Sequence, residues 1–304
     1  DLVIGAPGVE PGGAVYVVRG PLSGTIALES ATSKVISTQG GLAFGTAMDA
    51  GGDVDGDGVP DILVGAAGHR VGSDAVGAAF LYSGDIEGEI DHDSATAILI
   101  GEADLDQAGD AVAIPGDVDG DGFDDVLVGA KFNDTSGFLT GAVYVQLGPI
   151  SGTVELGQAD VVLYGSDSDH WFGVSVAGAG DVNGDGITDF MVGSDSETCG
   201  VVYGFLGPPS AGLNISQASW VVHGGPDCEF AGPADFGRNP TAAGDVDGDG
   251  LDDILLGSPY AENDFGPDGI PMVYVLLGPL SGDIDLATTS DVIRVESTLD
   301  SKQF

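Results

Sequence analysis

The residues of this 304-residue chain best placed to do chemistry are aspartates set in short glycine-rich turns. Four segments, residues 53–61, 117–125, 181–189 and 245–253, share one nine-residue pattern and start 64 residues apart. Each has an acid or amide at positions 1, 3, 5 and 9 and glycine at positions 4 and 6. Those glycines accept dihedrals that other residues resist, so a tight turn can aim all the carboxylates at one point. Calcium suits such a set, taking about six to eight oxygens at about 2.3–2.6 Å. The expected ligands of the first loop are Asp53, Asp55, Asp57, Asp61 and the Val59 carbonyl. In the second they are Asp117, Asp119, Asp121, Asp125 and the Phe123 carbonyl. The third uses Asp181, Asn183, Asp185, Asp189 and the Ile187 carbonyl, and the fourth Asp245, Asp247, Asp249, Asp253 and the Leu251 carbonyl.

The cofactor expected is therefore Ca2+ at four sites. Magnesium dehydrates reluctantly and demands a near-ideal octahedron. Zinc and copper prefer nitrogen and sulfur, and the loops hold no histidine or cysteine. An EF-hand would need glutamate at position 12 and flanking helices; here an aspartate at position 9 leads into a strand. The third loop, with one charge fewer, is expected to be the weakest site. Metal in these loops is read as structural, pinning the turn between the first two strands of each repeat.

Charge points the same way. Forty-nine acidic against seven basic residues leave −42, which excludes nucleic acid, since phosphate binding needs clustered Lys and Arg. Much of this acid lies outside the loops and reads as a solvated surface. No apolar run approaches the roughly 18 residues of a membrane helix, and the chain begins inside a repeat without a leader-like segment. An extracellular or cell-surface, secreted protein is expected.

The elements that must position the loops repeat with them. After each loop comes a short apolar strand, at 62–64, 126–128, 190–192 and 254–256, with 2–4 as the same strand lacking its loop. β-Branched and aromatic strands follow at 14–18, 78–82, 142–146, 201–205 and 272–276. Further strands are expected at 98–100, 161–164, 220–223 and 292–295, and just before the loops near 44–48 and 172–176. Four short strands per repeat without helical periodicity indicate an all-β fold. The expected architecture is a β-propeller of four-stranded antiparallel blades, about five in this chain, with membership of a seven-bladed ring as the alternative. Read as one domain over 1–304, the repeats run 1–40, 41–104, 105–168, 169–232 and 233–300, with 301–304 starting another.

These residues resemble the FG-GAP repeats of the integrin α-subunit propeller and its bacterial relatives. Phe-Gly stands at 44–45, 172–173 and 236–237, with Ala108-Gly109 as the departure. Gly-Ala-Pro is intact at 5–7 and relaxed at 65–67, 129–131, 193–195 and 257–259. The acidic loop lies between the two elements, where that family places its calcium. The resemblance implies extracellular calcium binding, seven blades where this chain supplies about five, and roles in adhesion or assembly.

The expected partner is a protein or glycan, or copies of the chain itself, bound on the face opposite the acidic loops. Candidates there are Phe132, His170, Trp171, Tyr260 and Phe265, with packing between blades as the plainer reading for each. Cys199 and Cys228 fall on the same face and could form a disulfide. Asn133 and Asn214 head glycosylation sequons. The chain is not expected to be an enzyme: its four histidines sit singly at unrelated repeat positions, and no nucleophile elbow appears. The alternatives are a self-assembling surface-layer or filament protein and, less favoured, a propeller-scaffold hydrolase or lyase.

Overall fold

The structure is a computed structural model that describes residues 1–166, 170–195, 200–223, 239–258, 272–286 and 288–296. These form five successive sheets, and their helical pieces are 3-10 turns of three residues. The second blade shows the plan. Its inner strand Met48–Ala50 pairs with Asp61–Ala66, that with Ala78–Ser83, and that with Ala97–Ile100, all antiparallel. The third blade repeats it with Ala111–Ala113, Val126–Ala130, Ala142–Gln146 and Val161–Tyr164. The fourth uses Ser175–Gly180, Asp189–Ser194, Val201–Phe205 and Trp220–His223, and the fifth Thr241–Gly244, Asp253–Ser258, Met272–Leu276 and Val292–Glu296. Leu2–Ala6, Ala14–Val18 and Ser33–Ile36 make the first blade. Successive inner strands pack side by side, as blades of a propeller do.

The apolar runs are continuous because both faces of each sheet are buried. Within Asp61–Ala66, Ile62 and Val64 pack toward the first blade and Leu63 toward the third. One blade on, Val126 and Val128 face back while Leu127 faces forward. The core is thus a series of layers between blades instead of one central cluster.

The two glycine elements meet at these seams. The Gly45 N–H donates to the Gly65 carbonyl of its own blade (3.1 Å), while a Cβ on Gly5 of the previous blade would lie 2.1 Å from the Gly45 oxygen. Gly65 stands the same way against Gly109 (2.0 Å), and Gly129 against Gly173 (2.2 Å). Gly45, Gly109 and Gly173 all have φ between +82° and +85°, a region that disfavours other residues. This glycine turn moves the inner strand away from the position expected for it, to Met48–Ala50 and Ser175–Gly180.

Three further strands, among the described residues, were not foreseen. Gly88–Asp91 leaves the second blade and pairs parallel with Ser33–Ile36 at the outer edge of the first. Gly152–Glu155 does the same on Ala97–Ile100, and Gly282–Asp285 on Trp220–His223. Three sheets therefore carry a parallel edge strand from the next repeat, an addition to the antiparallel four-strand plan that ties neighbours by backbone as well as by core.

Candidate metal centres in the acidic loops

Each acidic loop joins an inner strand to the strand beside it, and its own backbone shapes it. In the second loop Asp117 Oδ1 accepts from the N–H groups of Gly120 (2.6 Å) and Asp121 (3.1 Å), and Oδ2 from Gly122 (2.8 Å). The Asp121 N–H also reaches Asp119 (3.0 Å), and Phe123 N–H reaches Asp121 (2.9 Å). The third and fourth loops repeat the pattern from Asp181 and Asp245. Position-4 and position-6 glycines have φ from +76° to +99° throughout, so the turn depends on them.

The position-9 aspartates are the buried anchors. Asp61, Asp125, Asp189 and Asp253 are all 0% exposed. Their Oδ2 atoms accept from the position-2 N–H groups of Val54 (2.8 Å), Val118 (2.7 Å), Val182 (3.1 Å) and Val246 (2.8 Å). In the last three, Oδ1 accepts from the glycine of the Gly-Pro turn: Gly148 (2.8 Å), Gly207 (2.9 Å) and Gly278 (2.9 Å). The second repeat has Gly84-Asp85 there, and Asp61 Oδ1 is left buried without a hydrogen-bond donor. Desolvation pushes Asp125 up to about 7, and Asp61 and Asp189 to about 6, with neighbouring loop carboxylates adding to the shift.

The donor set fits a hard cation. Ligand oxygens of Asp53, Asp55 and Asp57 lie within 4.8 Å of one another, as do those of Asp117, Asp119 and Asp125, and of Asp245, Asp247 and Asp253. Asp53 Oδ1 and Asp61 Oδ1 are buried acceptors with no donor, and a cation would meet that need. In the third loop the Asn183 amide donates to Asp185 Oδ2 (3.0 Å), drawing on the position-5 carboxylate from within the loop itself, where the first loop's Asp57 Oδ2 accepts from Ser83 outside it (3.3 Å).

The loops also touch one another. Asp124 Oδ2 accepts from Asp53 N–H (2.7 Å) and its own N–H donates to the Asp53 carbonyl (3.2 Å). Asp252 makes the same pair with Asp181, at 2.8 and 3.0 Å. A Cβ on Gly56 would fall 2.3 Å from the Phe123 ring, and one on Gly184 would fall 2.8 Å from Leu251. Val54, Val118 and Val182 are 0% exposed against the next blade, whereas Val246 is 51% exposed.

The loops at the other ends of the strands hold the expected partner residues. Phe132 and Trp171 are half-buried and pack edge to face on each other at 5.6 Å, with Lys131 over Phe132 and paired to Asp110 (2.7 Å). His170 is half-buried and its carbonyl accepts from Ser194 (2.7 Å). Of these contacts, Phe132–Trp171 joins the third blade to the fourth, while Lys131–Asp110 and His170–Ser194 lie within the third and the fourth. Tyr260, Phe265, Cys199 and Cys228 lie outside the described residues. The apolar side chains that do face solvent there are Val71 (51%), Leu105 (64%) and Phe138 (66%). No sequence signal separated them from core residues. Asn133 is fully buried and donates to Asp106 (2.7 Å), so that sequon cannot accept a glycan in the fold; Asn214 is exposed.

This geometry is that of an FG-GAP blade array. The FG-GAP repeat family model matches residues 44–82, 108–145, 172–212 and 236–267. The chain carries four FG-GAP repeats and is an FG-GAP repeat β-propeller similar to that of integrin α subunits. It is 36% identical over 151 residues to integrin alpha-3 of Cricetulus griseus, covering 49% of this chain and 14% of that protein. It is 34% identical over 154 residues to integrin alpha-PS2 of Drosophila melanogaster (47% and 11%), and 36% identical over 143 to human integrin alpha-7 (47% and 11%). The matched region is thus a small part of those relatives' length. Among the described residues, no helix is long and apolar enough to cross a membrane.

Proposed function

We propose that the chain is an extracellular adhesion or protein-interaction module whose four acidic loops each hold a structural Ca2+. The observation that carries this is the pair of buried, donor-less oxygens, Asp53 Oδ1 and Asp61 Oδ1, inside a loop built only of hard oxygen ligands. Position-1, -3 and -5 side chains, aspartates except for Asn183, would supply ligands, with the buried position-9 carboxylate and the position-7 carbonyl closing the shell. The ion's part is mechanical: it neutralises crowded carboxylates and fixes the turn between the first two strands of each blade.

Integrin α resemblance supports a protein ligand, and exposed Val71, Leu105 and Phe138 offer apolar contact at the strand ends opposite the metal loops. Calorimetric titration of metal-free protein with Ca2+ tests the reading. Several equivalents should bind, and chelation should lower the melting temperature by several degrees or more. An unchanged melting curve in chelator would overturn it.

A further inference from the structure

Outside the acidic loops, the described residues hold one more group of close metal-ligating side chains: Asp91, His92 and Asp93, where the parallel edge strand of the second blade meets the first. His92 is fully buried. Its Nδ1 lies 2.7 Å from Asp91 Oδ1, and a carboxylate can only accept, so the proton sits on Nδ1. Asp91 also accepts from Thr38 (2.8 Å) and from the Asp93 N–H (3.2 Å), which fixes it against the ring. That leaves Nε2, the ring's other nitrogen, on the side of Asp93. That atom is buried and has no hydrogen-bond partner. The nearest charged atom is Asp93 Oδ1, 3.3 Å away but outside hydrogen-bonding geometry.

A carboxylate gripping one imidazole nitrogen while the other stands free beside a second carboxylate is the arrangement that orients histidine toward a metal. The 3.3 Å spacing of Nε2 and Oδ1 also matches the edge of a tetrahedral zinc site, about 3.4 Å for bonds near 2.0–2.1 Å. His69 and His92 pack on the same Phe80 ring, at 5.5 and 5.6 Å, so an aromatic layer walls the buried side of the pair.

We propose that His92 Nε2 and the Asp93 carboxylate, with Asp91 orienting the ring and water completing the shell on the exposed Asp93 side, form a site for a borderline divalent cation of the Zn2+ class at the seam of the first two blades. It is chemically distinct from the oxygen-only loops. Its nitrogen ligand makes it selective against Ca2+, so it stands or falls apart from the calcium reading.

The test is Co2+ and Zn2+ titration of the full chain in excess Ca2+, followed by calorimetry and by visible Co2+ absorption. One saturable equivalent with the intense bands of low-coordinate, nitrogen-bound Co2+ is expected, displaced by Zn2+. Asp93→Asn at an exposed position should weaken binding, while Asp91→Asn, a change in the orienting partner, should cost about 10- to 100-fold. His92→Gln should abolish it, with circular dichroism checking the fold; if that variant fails to fold, the Asp93 and Asp91 variants decide. No saturable uptake, uptake without nitrogen-type bands, or uptake unchanged in Asp93→Asn would each overturn the proposal.

Discussion

At the scale of single residues, the position-9 aspartates set the behaviour of the loops. Asp125 places one oxygen on Val118 N–H and the other on Gly148 N–H. Asparagine cannot accept with both atoms, so Asp125→Asn should strand one buried donor and cost about 1–3 kcal/mol in chemical denaturation. The pH dependence follows from the raised values of Asp61, Asp125 and Asp189. An acid whose folded pKa lies above its unfolded value stabilises the fold while protonated. That contribution is complete below pH ~4 and is lost as pH rises through about 6 to 7. Metal-free protein should therefore melt at a lower temperature at pH 7.5 than at pH 5, and Ca2+ should bind more tightly, with proton release, across the same interval. Melting curves and calorimetry in buffers of different ionisation enthalpy check both. A metal-free melting temperature that climbs from pH 5 to 7.5 would contradict the assignment.

At the scale of elements, the seams between blades are glycine against glycine. A Gly65→Ala methyl would meet the Gly109 backbone oxygen at 2.0 Å, and backbone on both sides leaves no side chain to move aside. The loss should be about 1–3 kcal/mol or more, read as a lower denaturation midpoint; Gly58→Ala, whose Cβ meets nothing, separates seam crowding from positive-φ strain. Here too lies the boundary of what the sequence made legible. Strands at 14–18, 142–146 and 201–205 were readable to the residue, because each is an unbroken run rich in β-branched and aromatic residues. The parallel edge strands were not: Gly88–Asp91 is four residues, half of them acidic, and its partner lies in another repeat. The acidic loops announced themselves by repetition. The His92 group occurs once, and its two carboxylates look like solvated surface until the buried ring between them is seen. Ala108, which breaks the Phe-Gly pattern, lies in the layer that holds Tyr144. That ring's hydroxyl donates to Glu102 (3.0 Å) and accepts from Asn133 (3.3 Å), and such a polar network leaves no periodic trace.

At the scale of the whole molecule, a charge of −42 concentrates repulsion wherever carboxylates crowd, and the blades bring four such crowds onto one side. Those four turns are not isolated. Through Asp124 and Asp252, through Phe123 and Leu251 seated on Gly56 and Gly184, and through the Thr188 N–H donating to the Asp117 carbonyl (3.2 Å), each leans on the next. A turn that stiffens on filling thereby hands its neighbour a better-formed cradle, and an empty one withholds it. Uptake along the row should accordingly be steeper than four independent equilibria allow, with the Asn183 turn as the weak link that sets the threshold. Exchanging Asn183 for aspartate should shift the whole isotherm to lower calcium instead of one quarter of it. A row of ions acting in concert would give the array a sharp response to the surrounding cation level, so that stiffness itself becomes the signal.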